Sequence, residues 1–331
     1  MKQNNVIFWV MLTLLVASCS KAPTLDPIEE STEGKVLLSF SIDGFEQENL
    51  PFPRASLQSS IRPAQANDGE NKPFDLRDYA NVVVYKIWKS GKVVDSLRQY
   101  ASDPNFGKYS RFLPVSKDSS DAQRFKIRIA AAMLEDGQSL HVNGGDNNTA
   151  MSFSPYAADG FFYSSLTTLM EGTELKSVKL RRVVGRVEVI PTDTIPADAE
   201  RVEIEVANVA KYFDMHFKVG YYSVKNSSDG TGSEVRRIPI LPDDIGKNGK
   251  AFASYFMLKD TLGKTAPPRT VTITTFDKQQ KVIMKRVVPN VNLQSNQITR
   301  LRGPIFSNRP NADFSIELEN DWKTEIPEIE F

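Results

Sequence analysis

Apolar and polar residues alternate with a period of two along much of the chain. That period marks a β-strand with one buried face. It is first clear over residues 35–43, where Val36, Leu38, Phe40 and Ile42 alternate with Leu37, Ser39, Ser41 and Asp43. Residues 80–100 read as a hairpin, with a β-branched and aromatic run from Val82 to Trp88, a Ser90-Gly91 turn and a return through Lys92, Val93 and Val94. Phe125, Ile127 and Ile129 point one way, which sends Arg124, Lys126 and Arg128 outward. A short strand is expected at 140–143, and a strand followed by a short helix across Phe161, Phe162, Tyr163 and residues 166–170. The longest pattern covers 178–190, with Val183, Val187 and Val189 on one side and Arg182, Arg186 and Glu188 on the other. Pro191 ends it, having no N–H for a ladder. Further strands are expected at 201–206, 251–258, 270–276, 281–288, 297–301 and 313–318, separated by breakers such as Pro267-Pro268, Asp277-Lys278 and Pro289-Asn290. Helical periodicity is nearly absent. Short strands at even spacing, joined by connections too short for parallel crossovers, predict an all-β chain. A boundary after residue 178 divides it into two β-sandwich domains, 35–178 and 179–331.

The start of the chain has a different pattern. After Lys2, residues 6–18 form an apolar run ending in small residues, the layout of a secretory signal peptide. The run is too short to span a bilayer as a helix, which takes about 20 apolar residues. Its end, Val16-Ala17-Ser18-Cys19, resembles a bacterial lipobox, in which the cysteine becomes the first mature residue and carries acyl chains such as palmitate. Each buried methylene adds about 0.8 kcal/mol of membrane affinity, so several chains anchor stably. Residues 1–18 are therefore expected to be removed, and 19–34, with Pro23, Pro27 and four acids, to be a flexible tether. Residues 44–78 lack periodicity and read as a long loop.

Composition narrows the chemistry. Lys+Arg and Asp+Glu both number 41, so there is no net charge to favour a nucleic-acid partner. Cys19 is the only cysteine, which excludes disulfides and thiol catalysis once it is acylated. No P-loop, Gly-x-Ser-x-Gly or His-Glu-x-x-His is present, and only His141 and His216 are available. The string from His141 to Thr149 is the most site-like, because oxygen ligands on a Gly-rich turn can hold calcium; the plainer reading is a polar hairpin loop. Asp243-Asp244 sits before Gly246 in a loop and makes a poor carboxylate pair for glycoside chemistry. Trp88, Trp322 and Tyr221-Tyr222 are candidates for stacking on sugar or for the core. No catalytic residue, metal site or cofactor is assigned.

A lipobox and a period-two strand are followed by 178–189, by Asn296-Gln297-Ile298-Thr299-Arg300-Leu301-Arg302-Gly303-Pro304, and by Phe314-Ser315-Ile316 with Trp322. This order of features resembles the fimbrillin-like proteins of Bacteroidetes. The resemblance implies two transthyretin-like β-sandwich domains in a non-enzymatic, outer-membrane-tethered fimbrial subunit. It also implies assembly with other subunits by β-strand addition, adhesion to a host or bacterial surface receptor, and no cofactor. The first-strand residues Val36, Leu38, Phe40 and Ile42 are then strand-exchange candidates. Arg54-Ala55, after Pro53, resembles the cut site of stalk-type precursors, with Arg62 a weaker second. Anchor-type subunits keep lipid and first strand; the short tail after Trp322, broken by Pro327, favours an anchor or tip-like role. Asp95-Ser96-Leu97, Asp193-Thr194-Ile195 and Asp260-Thr261-Leu262 look like O-glycan attachment triplets. An outer-membrane glycan-binding lipoprotein of a polysaccharide-uptake system stays open as the alternative.

Overall fold

The computed structural model describes residues 34–45, 74–114, 124–168, 177–221, 232–258 and 267–307. Cys19, Arg54, Ala55, Arg62, Tyr222, the Asp260 triplet, the strand expected at 313–318 and Trp322 lie outside them. The first nine strands are β1 (Lys35–Phe45), β2 (Val82–Lys89), β3 (Lys92–Tyr100), β4 (Lys108–Pro114), β5 (Arg124–Met133), β6 (Ser139–Asn143), β7 (Ala150–Ser154), β8 (Asp159–Thr168) and β9 (Val178–Arg182). The next nine are β10 (Val184–Pro191), β11 (Ala199–Ala207), β12 (Tyr212–Asp214), β13 (Val219–Tyr221), β14 (Ser233–Pro239), β15 (Phe252–Met257), β16 (Arg269–Asp277), β17 (Val282–Val291) and β18 (Ile298–Gly303). Among the described residues the only helical elements are two 3-10 turns, Leu76–Asp78 and Pro242–Asp244. The fold is all-β, as the alternation predicts.

The strands form four sheets: a seven-stranded one ordered β3-β2-β5-β8-β9-β1-β4, a three-stranded β15-β10-β18, and four-stranded β14-β11-β16-β17 and β13-β12-β7-β6. The seven-stranded sheet curls until its two edges, β3 and β4, come back towards one another. Its inner face is a core of Val36, Leu38, Phe40, Ile42, Tyr85, Ile87, Phe125, Ile127, Ile129, Tyr109 and Leu180. A second core lies between β10, β11, β15 and β16, around Val187, Ile204, Phe252, Phe256 and Ile273. A third joins Val82, Val84, Met151, Phe162, Phe213 and Met257.

Several features differ from the sequence expectation. Residues 166–168 continue β8 rather than turning into a helix. Arg128 does not point into water: it is 3% exposed and donates to the Ile127 and Ser165 carbonyls. Ala130, Ala132 and Met151 belong to the third core, so this face of β5 is covered too. The single strand expected at 178–190 breaks at Val183, with β9 in the seven-stranded sheet and β10 in the three-stranded one. The polar side of β10 is buried as well, because Arg186 pairs with Glu188 at 2.9 Å and Glu188 also accepts from Arg300. Gly185 is required there, since a Cβ would stand 2.6 Å from the Gln294 carbonyl oxygen. Two pairings are parallel, β1 with β9 and β10 with β18. Both join strands far apart in sequence, so no short crossover is needed. Pro289 and Asn290 lie inside β17, which tolerates proline because it is an edge strand.

Candidate functional site

The hairpin that begins the site is set locally. Ser90 and Gly91 have φ of 48° and 79°, the left-handed pair that turns β2 into β3 with the twist hairpins favour. β2 is interior, so the turn leaves β3 as one edge of the seven-stranded sheet. Residues 101–107 then carry the chain to β4, which among the described residues pairs with β1 alone and forms the other edge.

Side chains bridge these edges where a ladder would otherwise run. Gln99 accepts from Tyr85 Oη at 3.0 Å and from the Gly107 N–H at 3.0 Å, and donates to the carbonyls of Asn105 (3.0 Å) and Lys108 (2.8 Å). Every polar atom of the buried amide is thereby satisfied. Tyr109 Oη donates to Asp95 Oδ2 at 2.5 Å. Burial, then the hydrogen bond and charge of Asp95, push the Tyr109 phenol up, so it stays a donor. Among the described residues no backbone ladder joins β3 to β4. A groove of about 820 Å³ opens along this seam. Phe40, Leu97 and Tyr109 give it an apolar floor, and its charged lining is Arg98, Lys108, Arg111 and Asp103. Phe40 stacks on Tyr109 with centroids 5.0 Å apart.

The four strand-exchange candidates all face inward on β1: Val36 is 3% exposed, Leu38 0%, Phe40 4% and Ile42 6%. β1 lies between β4 and β9, one strand in from the edge, and only Phe40 reaches the seam. Lys108, Tyr109 and Arg111 are not legible in the sequence because β4 is not expected there; Gln99 and Asp95 fall on the expected second hairpin strand, where Asp95 is read as part of a glycan triplet and not as a partner of Tyr109. The signal of β4 is weak: Tyr109 and Leu113 are its inward residues, whereas Phe112 is exposed opposite Leu37.

The other motifs are structurally occupied. Asp146 pairs with Lys126 at 2.8 Å, and that hydrogen bond holds its carboxyl below the usual range. Asn148 Oδ1 accepts the Gly145 N–H, closing the Gly-rich stretch as a polar turn. Asp244 accepts from the Leu241 N–H and pairs with Lys250 at 3.0 Å. Trp88 is in the core and Tyr221 stacks on Tyr212. Asp193 takes the N–H groups of Ile305, Phe306 and Ser307 at 3.0, 2.8 and 2.7 Å. Among the described residues no three His, Cys, Asp or Glu side chains cluster closely enough to hold a metal. A smaller cavity of about 230 Å³ is lined by Tyr156, Lys211, Glu234 and Met257. Glu234 accepts the Ala157 N–H there, and burial pushes its carboxyl up to about 7.

No curated protein matches the chain. Among solved structures, a candidate adhesin from Bacteroides thetaiotaomicron is similar at 9% identity and a TM-score of 0.44, over 86% of this chain and 97% of that one. The fimbrial anchor protein Mfa2 from Porphyromonas gingivalis is similar at 12% identity and a TM-score of 0.38, over 81% and 90% of the two chains. The tip fimbrial protein Mfa3 from the same organism, C-terminally truncated, gives 11% and 0.36 over 81% and 94%. The model of a family of unknown function, DUF6562, matches residues 29–331, and the chain belongs to that family.

Proposed function

We propose that the chain is a non-enzymatic surface subunit of an adhesive fimbrium, held to the outer membrane through acylated Cys19 and joined to neighbouring subunits by β-strand addition. The observation that carries this reading is the seam. Two strand edges face each other across a groove with no ladder between them among the described residues, and an added strand gains main-chain hydrogen bonds on such an edge. Within this reading the body is two transthyretin-like sandwich units, 35–178 and 179–331, and the first and second cores are consistent with one unit each. The depth of β1 in the first core favours an anchor or tip-like subunit that keeps its first strand, with Arg54-Ala55 left uncut. A glycan-binding lipoprotein is less well supported, since Trp88 is unavailable for stacking.

Proline at Ser110 and at Arg111, made separately, tests the reading. Neighbouring residues on β4 direct their backbone groups to opposite edges, so one variant loses a bond to β1 and the other loses a seam-facing N–H. The expected result is one variant with a lowered melting temperature and one with native melting that no longer forms multimers on native electrophoresis. Two natively melting variants that multimerise like the parent chain would overturn the proposal.

A further inference from the structure

The cavity beside β14 lies apart from the seam and holds two charged groups that strand addition does not use. We infer that it binds a free amino acid with an aliphatic side chain, its ammonium against Glu234, its carboxylate against Lys211 and its hydrocarbon branch against the apolar wall.

Strand periodicity puts Glu234 and Arg236 on the half-buried face of β14, an edge strand. That face meets the segment between β7 and β8. Glu234 Oε1 accepts the Ala157 N–H at 3.0 Å. The Arg236 guanidinium lies 3.5 Å from the centre of the Tyr156 ring and pairs with Glu135 at 2.6 Å. One face of the ring is thereby held, so this wall is fixed before a ligand arrives. From the other side, Val209 bridges to Leu258 and the Ala210 N–H donates to the Met257 carbonyl at 2.8 Å, which brings Lys211 to the same cavity. Glu234 Oε2 and Lys211 Nζ have no hydrogen-bond or ion-pair partner among the described residues. Lys211 is near enough to favour the ionised carboxylate, yet burial outweighs it. A carboxylate in this position is costly until a cation meets its free oxygen.

The remaining lining is mostly apolar, with Phe153, Pro155, Val209, Val235 and Met257. A volume of about 230 Å³ equals roughly seven or eight waters at about 30 Å³ each. It falls below the range of about 300–1,000 Å³ that drug-sized ligands fill. The guest is therefore small, offers a cation to Glu234 and an anion to Lys211, and covers apolar surface. An aliphatic amino acid carries both charges on one carbon, with its branch beyond them. A neutral sugar leaves both protein charges unmatched, an alkylamine leaves Lys211 unmatched, and an alkanoate leaves Glu234 unmatched. Hydrogen bonds between opposite charges are the stronger kind, so each mismatch counts.

Ionised Glu234 is the binding form. Around it the charged and titratable side chains are Lys211, Tyr156 and, behind the Tyr156 ring, the paired Arg236 and Glu135. With the Glu234 carboxyl raised to about 7, affinity should fall roughly tenfold per unit as pH drops below 7.

The test is isothermal titration calorimetry of the full chain at pH 8 with L-leucine, L-isoleucine, L-valine and L-methionine. Saturable binding of at least one is expected. The matching alkanoate and alkylamine, 4-methylpentanoate and 3-methylbutylamine for leucine, should each bind about tenfold more weakly, the loss of one charged hydrogen bond. Glu234→Gln keeps an acceptor for the Ala157 N–H. It is expected to weaken binding about tenfold or more and to remove its dependence on pH between 5.5 and 8. Lys211→Met should weaken the amino acid but not the alkylamine. Ser233→Trp, at an exposed position in the lining, should block entry. No binding of any of the four amino acids, or binding that survives both Glu234→Gln and Ser233→Trp, overturns the inference. An alkylamine that binds as tightly as the amino acid overturns the role of Lys211. The β4 proline variant that no longer multimerises should bind the amino acid like the parent chain, so failure of this inference is separate from failure of the strand-addition proposal.

Discussion

Single side chains stand in for backbone pairing at several points. Asp193 is the clearest case: one carboxylate accepts three consecutive N–H groups as the chain leaves β18, and hydrogen bonds to a charged group are the stronger kind. Asp193→Ala is expected to cost about 2–3 kcal/mol, read as a lowered urea midpoint, and Asp193→Asn less, since it keeps an acceptor. Glu234 acts through protonation. Burial raises its carboxyl from an ordinary 4.5 to about 7, against the opposing Ala157 N–H and Lys211 charge. The folded state therefore binds a proton more tightly than the unfolded chain. Its contribution is fully present below pH 4.5 and is lost as pH rises to about 7. The loss amounts to at most about 3 kcal/mol, at 1.36 kcal/mol per pH unit. Glu234→Gln should flatten that part of the stability profile and raise the melting temperature at pH 8. Denaturant titrations at pH 5 and pH 8 measure both; an unchanged pH slope would refute the assignment.

At the scale of elements, the passage from β9 to β10 decides most. Alternation alone reads one strand through 178–190, but the chain changes sheets at Val183. Arg182 explains how it is held there. Its guanidinium meets Asp159 at 2.7 and 3.1 Å, donates to Asn296 Oδ1 at 3.0 Å and lies over the Phe161 ring. Burial pushes the Asp159 carboxyl up and Arg182 pulls it back, the balance of a charge pair removed from water. Removing one partner strands the other, so Arg182→Ala or Asp159→Ala is expected to cost about 3–5 kcal/mol. Replacing both by Leu should cost much less. A double-mutant cycle on urea midpoints measures the difference. β1 is read correctly from its alternation, and its depth gives it weight: Leu38→Ala, at a position with no exposure, should cost about 2–5 kcal/mol.

For the whole molecule, the proposed role depends on an anchor at one end and an open edge in the body. Cys19→Ala is expected to move the protein from the membrane fraction to the soluble fraction, followed by labelling with a palmitate analogue. Mass spectrometry of the mature N-terminus should find acylated Cys19 rather than Ala55. How much was legible in advance depends on how local each feature is. The hairpin at Ser90-Gly91, the inward set on β1 and the core position of Phe125, Ile127 and Ile129 follow from neighbours in sequence. β4 was missed because Phe112 breaks the alternation of Tyr109 and Leu113. The burial of Arg128 was missed because the strands that cover its face come from elsewhere in the chain.

Taken alone, the order of residues determined an all-β chain, most of its strands and the apolar face of strands such as β1, because side-chain direction alternates along a strand whatever its partners. Only the tertiary structure decided which strands are neighbours, where the chain changes sheets, and that β3 and β4 meet without pairing. Those outcomes depend on contacts between segments distant in sequence, where packing and charge burial are set by the whole fold.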